Sequence, residues 1–296
     1  MAGTRIPVLK TYKLYINGAF PRSESGRSLE VKDSRGRTAA HLCKASRKDL
    51  REAVEAARGA CGKWAAATAY NRGQILYRIA EMMEGKRDEL AAALSITTGT
   101  RRSSDAVAEV DMAIDRVIYF AGWADKYPQV LGCNNPVSGP FYNFTITEPS
   151  GVIACIAPDA HPLLGLISVI APVIVSGNTC VALTSQTNPI AGAVFAEVCA
   201  TSDVPAGVIN ILTGERAELI KYISDHRDID GIHAATASLE ESARFREGAA
   251  ENIKRVLVRS SEGKHKVDWT DSAMCETPFW IEPFIEFKTV WHPASV

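Results

Sequence analysis

Two hydrophobic periods divide the chain. From Ser46 onward, apolar positions recur every three or four residues: Leu50, Val54, Ala57 and Cys61; Ile75, Ile79 and Met82; Leu90 and Leu94; then Val107, Val110, Ile114, Val117, Ile118 and Ala121. That spacing predicts four amphipathic helices, the first capped by Ser46. Ahead of them, Tyr12 to Ile16 alternate before Asn17-Gly18, which predicts a strand and a tight turn. Residues 26–46 read as two more short strands around a loop.

From Phe141 the pattern changes. "FYNFTIT" alternates, and "GVIACIA" is then continuously apolar, with no wet face. Helices at 162–176, 189–200, 217–224 and 239–250 alternate with the strands "TCVAL", "GVINIL", "DIDGIHAA" and "RVLV". Apolar strands alternating with helices predict a parallel sheet covered on both faces, an α/β Rossmann-like, doubly wound architecture. After Val258, "RSSEGKHKVDWTDSAMCETPFW" is polar with isolated aromatics and reads as a linker. "IEPFIEFKTVWHP" then alternates again as a terminal strand, and a lone strand needs a sheet to join. The expected division is a helix-rich part at 1–136, a strand region at 137–150, the α/β core at 151–259, a linker at 260–283 and the final strand at 284–296.

Composition narrows the function. The chain has 296 residues, enough for a large core, and a net charge of −1, which makes no case for nucleic acid or an anionic membrane. Its seven cysteines are scattered with no C-x-x-C pair, so neither a disulfide framework nor a metal site is expected, and a reducing, cytoplasmic compartment is. The N-terminal segment lacks the apolar stretch of a signal peptide. Leu163 to Val175 is the one membrane suspect, but it is shorter than the ~20 residues a span needs and contains Pro172; a buried helix is expected.

Several stretches resemble the NAD(P)-dependent aldehyde dehydrogenases. "LYINGAF" resembles a strand near that family's start. "FTITEPSGVIACIAPDAHPLL" looks like its hairpin strand followed by the strand that opens its active site. "SGNTCVAL" and "VPAGVINILTG" match its next strands and turns, "NIKRVLV" the strand leading to the catalytic glutamate, and "FIEFKTVW" the C-terminal oligomerisation strand. Their order and spacing carry the resemblance.

The departures fall on the chemistry. Aldehyde oxidation needs a thiolate nucleophile, donors for the oxyanion, a carboxylate base and a nicotinamide held in reach. Where the family has Pro-Trp-Asn, this chain has Pro158-Asp159-Ala160, so the oxyanion donor is lost at Ala160. The family's ribose-binding lysine falls on Thr184, and its second phosphate turn on Ala234-Ala235-Thr236-Ala237. The "TG-x-G" turn keeps Gly214 but has Arg216 at the second glycine. The general base falls on Arg259, which is never deprotonated at neutral pH. The nucleophile run Asn-x-Gly-Gln-x-Cys is absent, and Cys275 has no family context.

The resemblance therefore implies no catalytic residue and degenerate dinucleotide positions at Thr184, Arg216 and Thr236, with no cofactor expected. Gly151, Gly177, Gly207 and Gly214 read as turns as readily as a phosphate cradle, and Asp159-Ala160-His161 as loop polarity. The chain is similar to the truncated second copy in double-length members of the family. It keeps both oligomerisation pieces but not the domain that receives them. The implied role is a non-catalytic subunit docking onto a complete NAD(P)-dependent aldehyde dehydrogenase through Phe141, Phe144, Phe284, Phe287, Val290 and Trp291. The alternatives are an active aldehyde oxidoreductase with an atypical site using Cys275, and a nucleotide-binding regulatory module.

Overall fold

Alternate residues of the central strands feed two separate cores. The computed structural model describes residues 8–97, 103–235, 238–260 and 266–294. In order, its elements are β1 (Thr11–Tyr12), β2 (Ser28–Lys32), β3 (Thr38–Cys43), α1 (Arg47–Ala66), α2 (Ala69–Gly85), α3 (Arg87–Thr97), α4 (Ser103–Ala121), α5 (Tyr127–Leu131), β4 (Cys133–Asn135) and β5 (Phe141–Pro149). Then come β6 (Val152–Ile156), α6 (Pro162–Val175), β7 (Thr179–Leu183), α7 (Pro189–Ala200), β8 (Ile209–Leu212), α8 (Arg216–Asp225), β9 (Gly231–Ala235), α9 (Leu239–Asn252), β10 (Arg255–Arg259), α10 (Ser272–Cys275) and β11 (Ile285–Pro293).

The central sheet is parallel, in the order β10-β9-β6-β7-β8. Ile153, Cys155, Cys180 and Ile211 point into the core shared with α2, α3, α4, α6 and α7. Val152, Ala154, Ile156, Val181 and Leu183 point into the opposite core, against α1, α8 and α9. Successive strand side chains face opposite ways, so a sheet buried on both sides needs the unbroken apolar strands seen here. This is the doubly wound α/β fold that the sequence predicts.

Of the strand expected at Tyr12 to Ile16, Tyr12 lies in β1 and Tyr15 makes an isolated bridge to Ile211, while the helices and the turn form as their patterns dictate. Ser46 caps α1 in a capping box: its Oγ accepts from the amide of Asp49, whose carboxylate accepts from the Ser46 amide at 2.7 Å. Asn17 and Gly18 both have positive φ, the geometry of a tight turn, closed by paired bonds between Ile16 and Ala19. All fourteen residues of α6 are buried, held in part by the Trp64 indole, whose Nε1 donates to the Ile174 carbonyl at 2.9 Å. None of the described helices is long and apolar enough to cross a membrane.

The segment read as a linker is folded. Residues 261–265 lie outside the described residues, but from Lys266 onward the chain packs against the α/β unit. Val267, Trp269, Cys275, Trp280 and Ile281 are buried in the larger core, and α10 and two 3-10 turns span the stretch. The Val267 amide returns to the Ser260 carbonyl at 2.8 Å. The aromatics anchor it individually and so leave no period to read. Phe284 is also corrected. It is fully buried, with its carbonyl accepting from the Ser150 amide and from Asn178 Nδ2, so it belongs to the core and not to the exposed strand.

A second sheet stands beside the core, with antiparallel order β11-β5-β4. β5 and β11 pair along their full nine residues, from Ile285 opposite Pro149 to Pro293 opposite Phe141. β4 and α5 were not anticipated; each is too short to show a period.

Candidate functional site

Open α/β sheets bind ligands at the carboxyl ends of their strands, where strand order reverses. Here the reversal lies between β6 and β9. Four helices begin at that edge, and the N-terminus of each would attract an anion. At α6, α8 and α9 the protein already supplies an acceptor, and at α7 it takes the amide just ahead of the helix. The buried Glu109 on α4 takes the Leu163 and Leu164 amides of α6 at 2.9 and 3.2 Å. Ser185 Oγ takes the Asn188 amide ahead of α7, at 3.1 Å. Gln186 Oε1 takes the Arg216 amide at 2.7 Å, and Ser238 Oγ takes the Glu241 amide at 3.1 Å.

The turn residues at this edge bind one another. Asp159, after β6, accepts through Oδ1 from Ser185 Oγ (2.9 Å), the Gln186 amide (2.7 Å) and the Thr187 amide (3.2 Å), all after β7. Arg216, at the start of α8, is 6% exposed. Its Nη2 donates to the Ala157 carbonyl, and its Nη1 lies 3.4 Å from Asp159 Oδ2. Thr184 is fully buried and turned away from solvent. Thr236 lies outside the described residues. Gly151, Gly177 and Gly207 have positive φ, but they precede β6, β7 and β8, at the opposite end of the sheet; of the four glycines only Gly214 is at the ligand edge. His161, in the left-handed region, has Nδ1 3.5 Å from Glu109 Oε2, so the loop that reads as merely polar is tied to a buried carboxylate.

Arg259 ends β10 beneath the folded segment. Its guanidinium lies 3.8 Å from the centre of the Trp280 ring, and its Nε donates to His233 Nε2 at 3.4 Å. Because arginine can only donate, His233 carries its proton on Nδ1 and gives it to the Val169 carbonyl at 3.1 Å. Burial, and then the adjacent Arg259 charge, push the imidazole well below its usual range. Burial also lowers the guanidinium to about 10, which leaves it charged at neutral pH. Cys275 is fully buried, its Sγ directed at the Asp268 carbonyl. Burial raises its thiol above the ordinary value, with Arg116 and Arg259 opposing the shift. A reactive cysteine needs the reverse, a lowered pKa with access. Ala160, beside Asp159, carries no donor. Among the described residues no group of histidines, cysteines and carboxylates could hold a metal ion.

The candidate docking residues lie on the arm formed by β5 and β11. Phe141, Phe287 and Trp291 are 43%, 48% and 57% exposed, and the Phe141 and Trp291 rings meet edge-on at 5.7 Å. Their register puts them on one face, while Tyr142, Phe144, Ile146 and Val290 share the other. Tyr142 and Ile146 are exposed; Phe144 and Val290 are half-buried. Both faces of the arm therefore present apolar side chains to solvent.

Some functional positions were not found from the sequence. Glu109 breaks the apolar stripe of α4 between Ala106 and Ala113, which is a readable sign. Gln186 has no such sign, because its role depends on where three separate turns converge. Arg116, whose guanidinium reaches Ser168 Oγ, the Trp269 carbonyl and Glu276, likewise shows itself only in three dimensions.

A five-stranded parallel sheet covered by helices on both faces is the architecture of nucleotide-binding folds. The aldehyde dehydrogenase family model matches residues 20–267, and the chain belongs to that family. It is 34% identical to the cytosolic 1 aldehyde dehydrogenase of Elephantulus edwardii, over 86% of this chain and 51% of that protein. It is 34% identical to the cytosolic 10-formyltetrahydrofolate dehydrogenase of Xenopus laevis, over 83% of this chain and 28% of that protein. The NAD+ complex of a Bacillus cereus aldehyde dehydrogenase superposes with a TM-score of 0.79 at 28% identity, covering 84% of this chain and 51% of the other. The chain thus spans about half the length of the aldehyde dehydrogenases it matches.

Proposed function

We propose that this chain is a non-catalytic, cytoplasmic subunit that docks onto a complete NAD(P)-dependent aldehyde dehydrogenase. The observation that carries the reading is the arm: a paired β5–β11 ribbon with apolar side chains on both faces and β11 at the edge of its sheet. An edge strand offers unpaired backbone groups to a neighbouring chain, and flanking aromatic side chains supply contact area. Supporting it, the position where the resemblance expects a general base is a half-buried arginine stacked on tryptophan. The reading of an active oxidoreductase using Cys275 is disfavoured by that thiol's burial and raised pKa.

The test is native mass spectrometry of the purified chain mixed with full-length aldehyde dehydrogenases of the same cell. A stable hetero-oligomer is expected, lost in the Phe287→Asp/Trp291→Asp double variant. Absence of a complex with every such dehydrogenase at micromolar concentration would sink the proposal. NADH formation from an aldehyde by this chain alone, abolished by Cys275→Ala, would do the same.

A further inference from the structure

We infer that Asp159, Gln186 and Arg216 form a clasp that holds the turns after β6, β7 and β8 together from within, and so keeps a dinucleotide phosphate out. The three contacts close a ring. The Asp159 carboxylate ties the first turn to the second through the Gln186 and Thr187 amides and Ser185 Oγ. The Gln186 side chain ties the second turn to the first amide of α8. The Arg216 guanidinium passes back over the strand ends to the Ala157 carbonyl and the Asp159 carboxylate.

The ring uses the groups a phosphate would need. Main-chain amides at helix starts and at the turn before them are anion donors, and here the Gln186, Thr187 and Arg216 amides point at the protein's own oxygens. An incoming phosphate would have to displace the Asp159 carboxylate from the Gln186 and Thr187 amides and from Arg216. Charge-assisted contacts hold that carboxylate in place, and its own charge opposes an approaching phosphate. The clasp also has a positive role. It links three successive crossovers through side chains, so the strand ends stay ordered without a ligand. Docking involves none of these residues and stands or falls separately.

Hydrogen exchange on the full chain tests the clasp, with and without millimolar NAD+, NADP+ or ADP. In the wild-type protein no nucleotide should protect residues 157–160, 185–188 or 213–217. In Asp159→Ala and in Arg216→Met, those three turns should exchange about tenfold faster or more, while β9 and β10 keep their wild-type rates. Nucleotide-dependent protection of the turns in the wild type, or unchanged exchange in both variants, overturns the inference. Where a variant fails to fold, calorimetric titration of the wild type with the same nucleotides decides: heat of binding overturns the clasp, and its absence supports it.

Discussion

At the residue scale, Arg259, which stands where the resemblance places a general base, has consequences for stability. A base at this position would need a proton it can give up near neutral pH; half-buried Arg259 keeps its charge there, lying against Trp280 and donating to His233. The contact fixes His233 as a neutral ring between the Val169 carbonyl and a cation. Protonating it would put a second positive charge against the guanidinium. In the unfolded chain the same histidine titrates near its ordinary value of 6.5. Below that pH the unfolded state binds the extra proton, so stability is present above it and lost as pH falls. For one group the slope reaches about 1.4 kcal/mol per pH unit. His233→Gln keeps a donor and an acceptor but cannot titrate. Urea unfolding of both proteins from pH 7.5 to 5 should give curves that converge as pH falls, because only the wild type loses this contribution. Parallel curves would show that the ring is not held neutral. Half-buried His226, also shifted down, is common to both proteins and cancels in the difference.

At the element scale, what could be read from the sequence follows from periodicity. The strands of the central sheet carry apolar runs, and the helices after them lie within a residue or two of their expected spans; β9 starts three residues later than expected, at Gly231. The segment from Lys266 to Phe284 has neither signal. Its Trp269, Cys275, Trp280 and Ile281 are anchors separated by polar residues, and such anchors declare themselves only against the surface they fill. The candidate site divides the same way: Arg216 and Arg259 stand out by position, whereas Gln186 and Arg116 act through turns and helices distant in sequence. That the segment is a packed element leads to a direct test. Trp280 is 3% exposed, and its ring meets His233, Trp269 and Arg259. Trp280→Ala should destabilise the protein by about 3–5 kcal/mol in urea unfolding, the cost of emptying a large core site. A loose linker would tolerate the change within about 0.5 kcal/mol.

At the scale of the whole molecule, the chain combines a core whose strand-end turns bond one another with an arm whose apolar side chains are exposed. The arm's two faces cannot both be buried by its own core, because β11 is the edge of a three-stranded sheet that leaves Phe141, Tyr142, Ile146, Phe287 and Trp291 exposed. Long edge strands with apolar side chains and few charges pair with whatever strand is available. Along the edge Glu286 and Lys288 are the acidic and basic residues, and each is already engaged, Glu286 by Arg255 and Lys288 by Glu148. They give little protection against self-pairing. The purified chain should therefore associate with itself as its concentration rises, and sedimentation velocity should report a weight-average mass that climbs over the micromolar range. Phe287→Lys with Trp291→Lys places two further charges along β11 and should return the protein to a single species. Its melting temperature should stay close to the wild-type value, since the replaced side chains are half exposed. A complete dehydrogenase that receives the arm should compete with this self-association, so titrating it in should dissolve the self-associated species into one hetero-oligomer. If the wild-type chain remains a monomer at every concentration, the arm is covered from within, and the docking proposal loses the observation on which it rests.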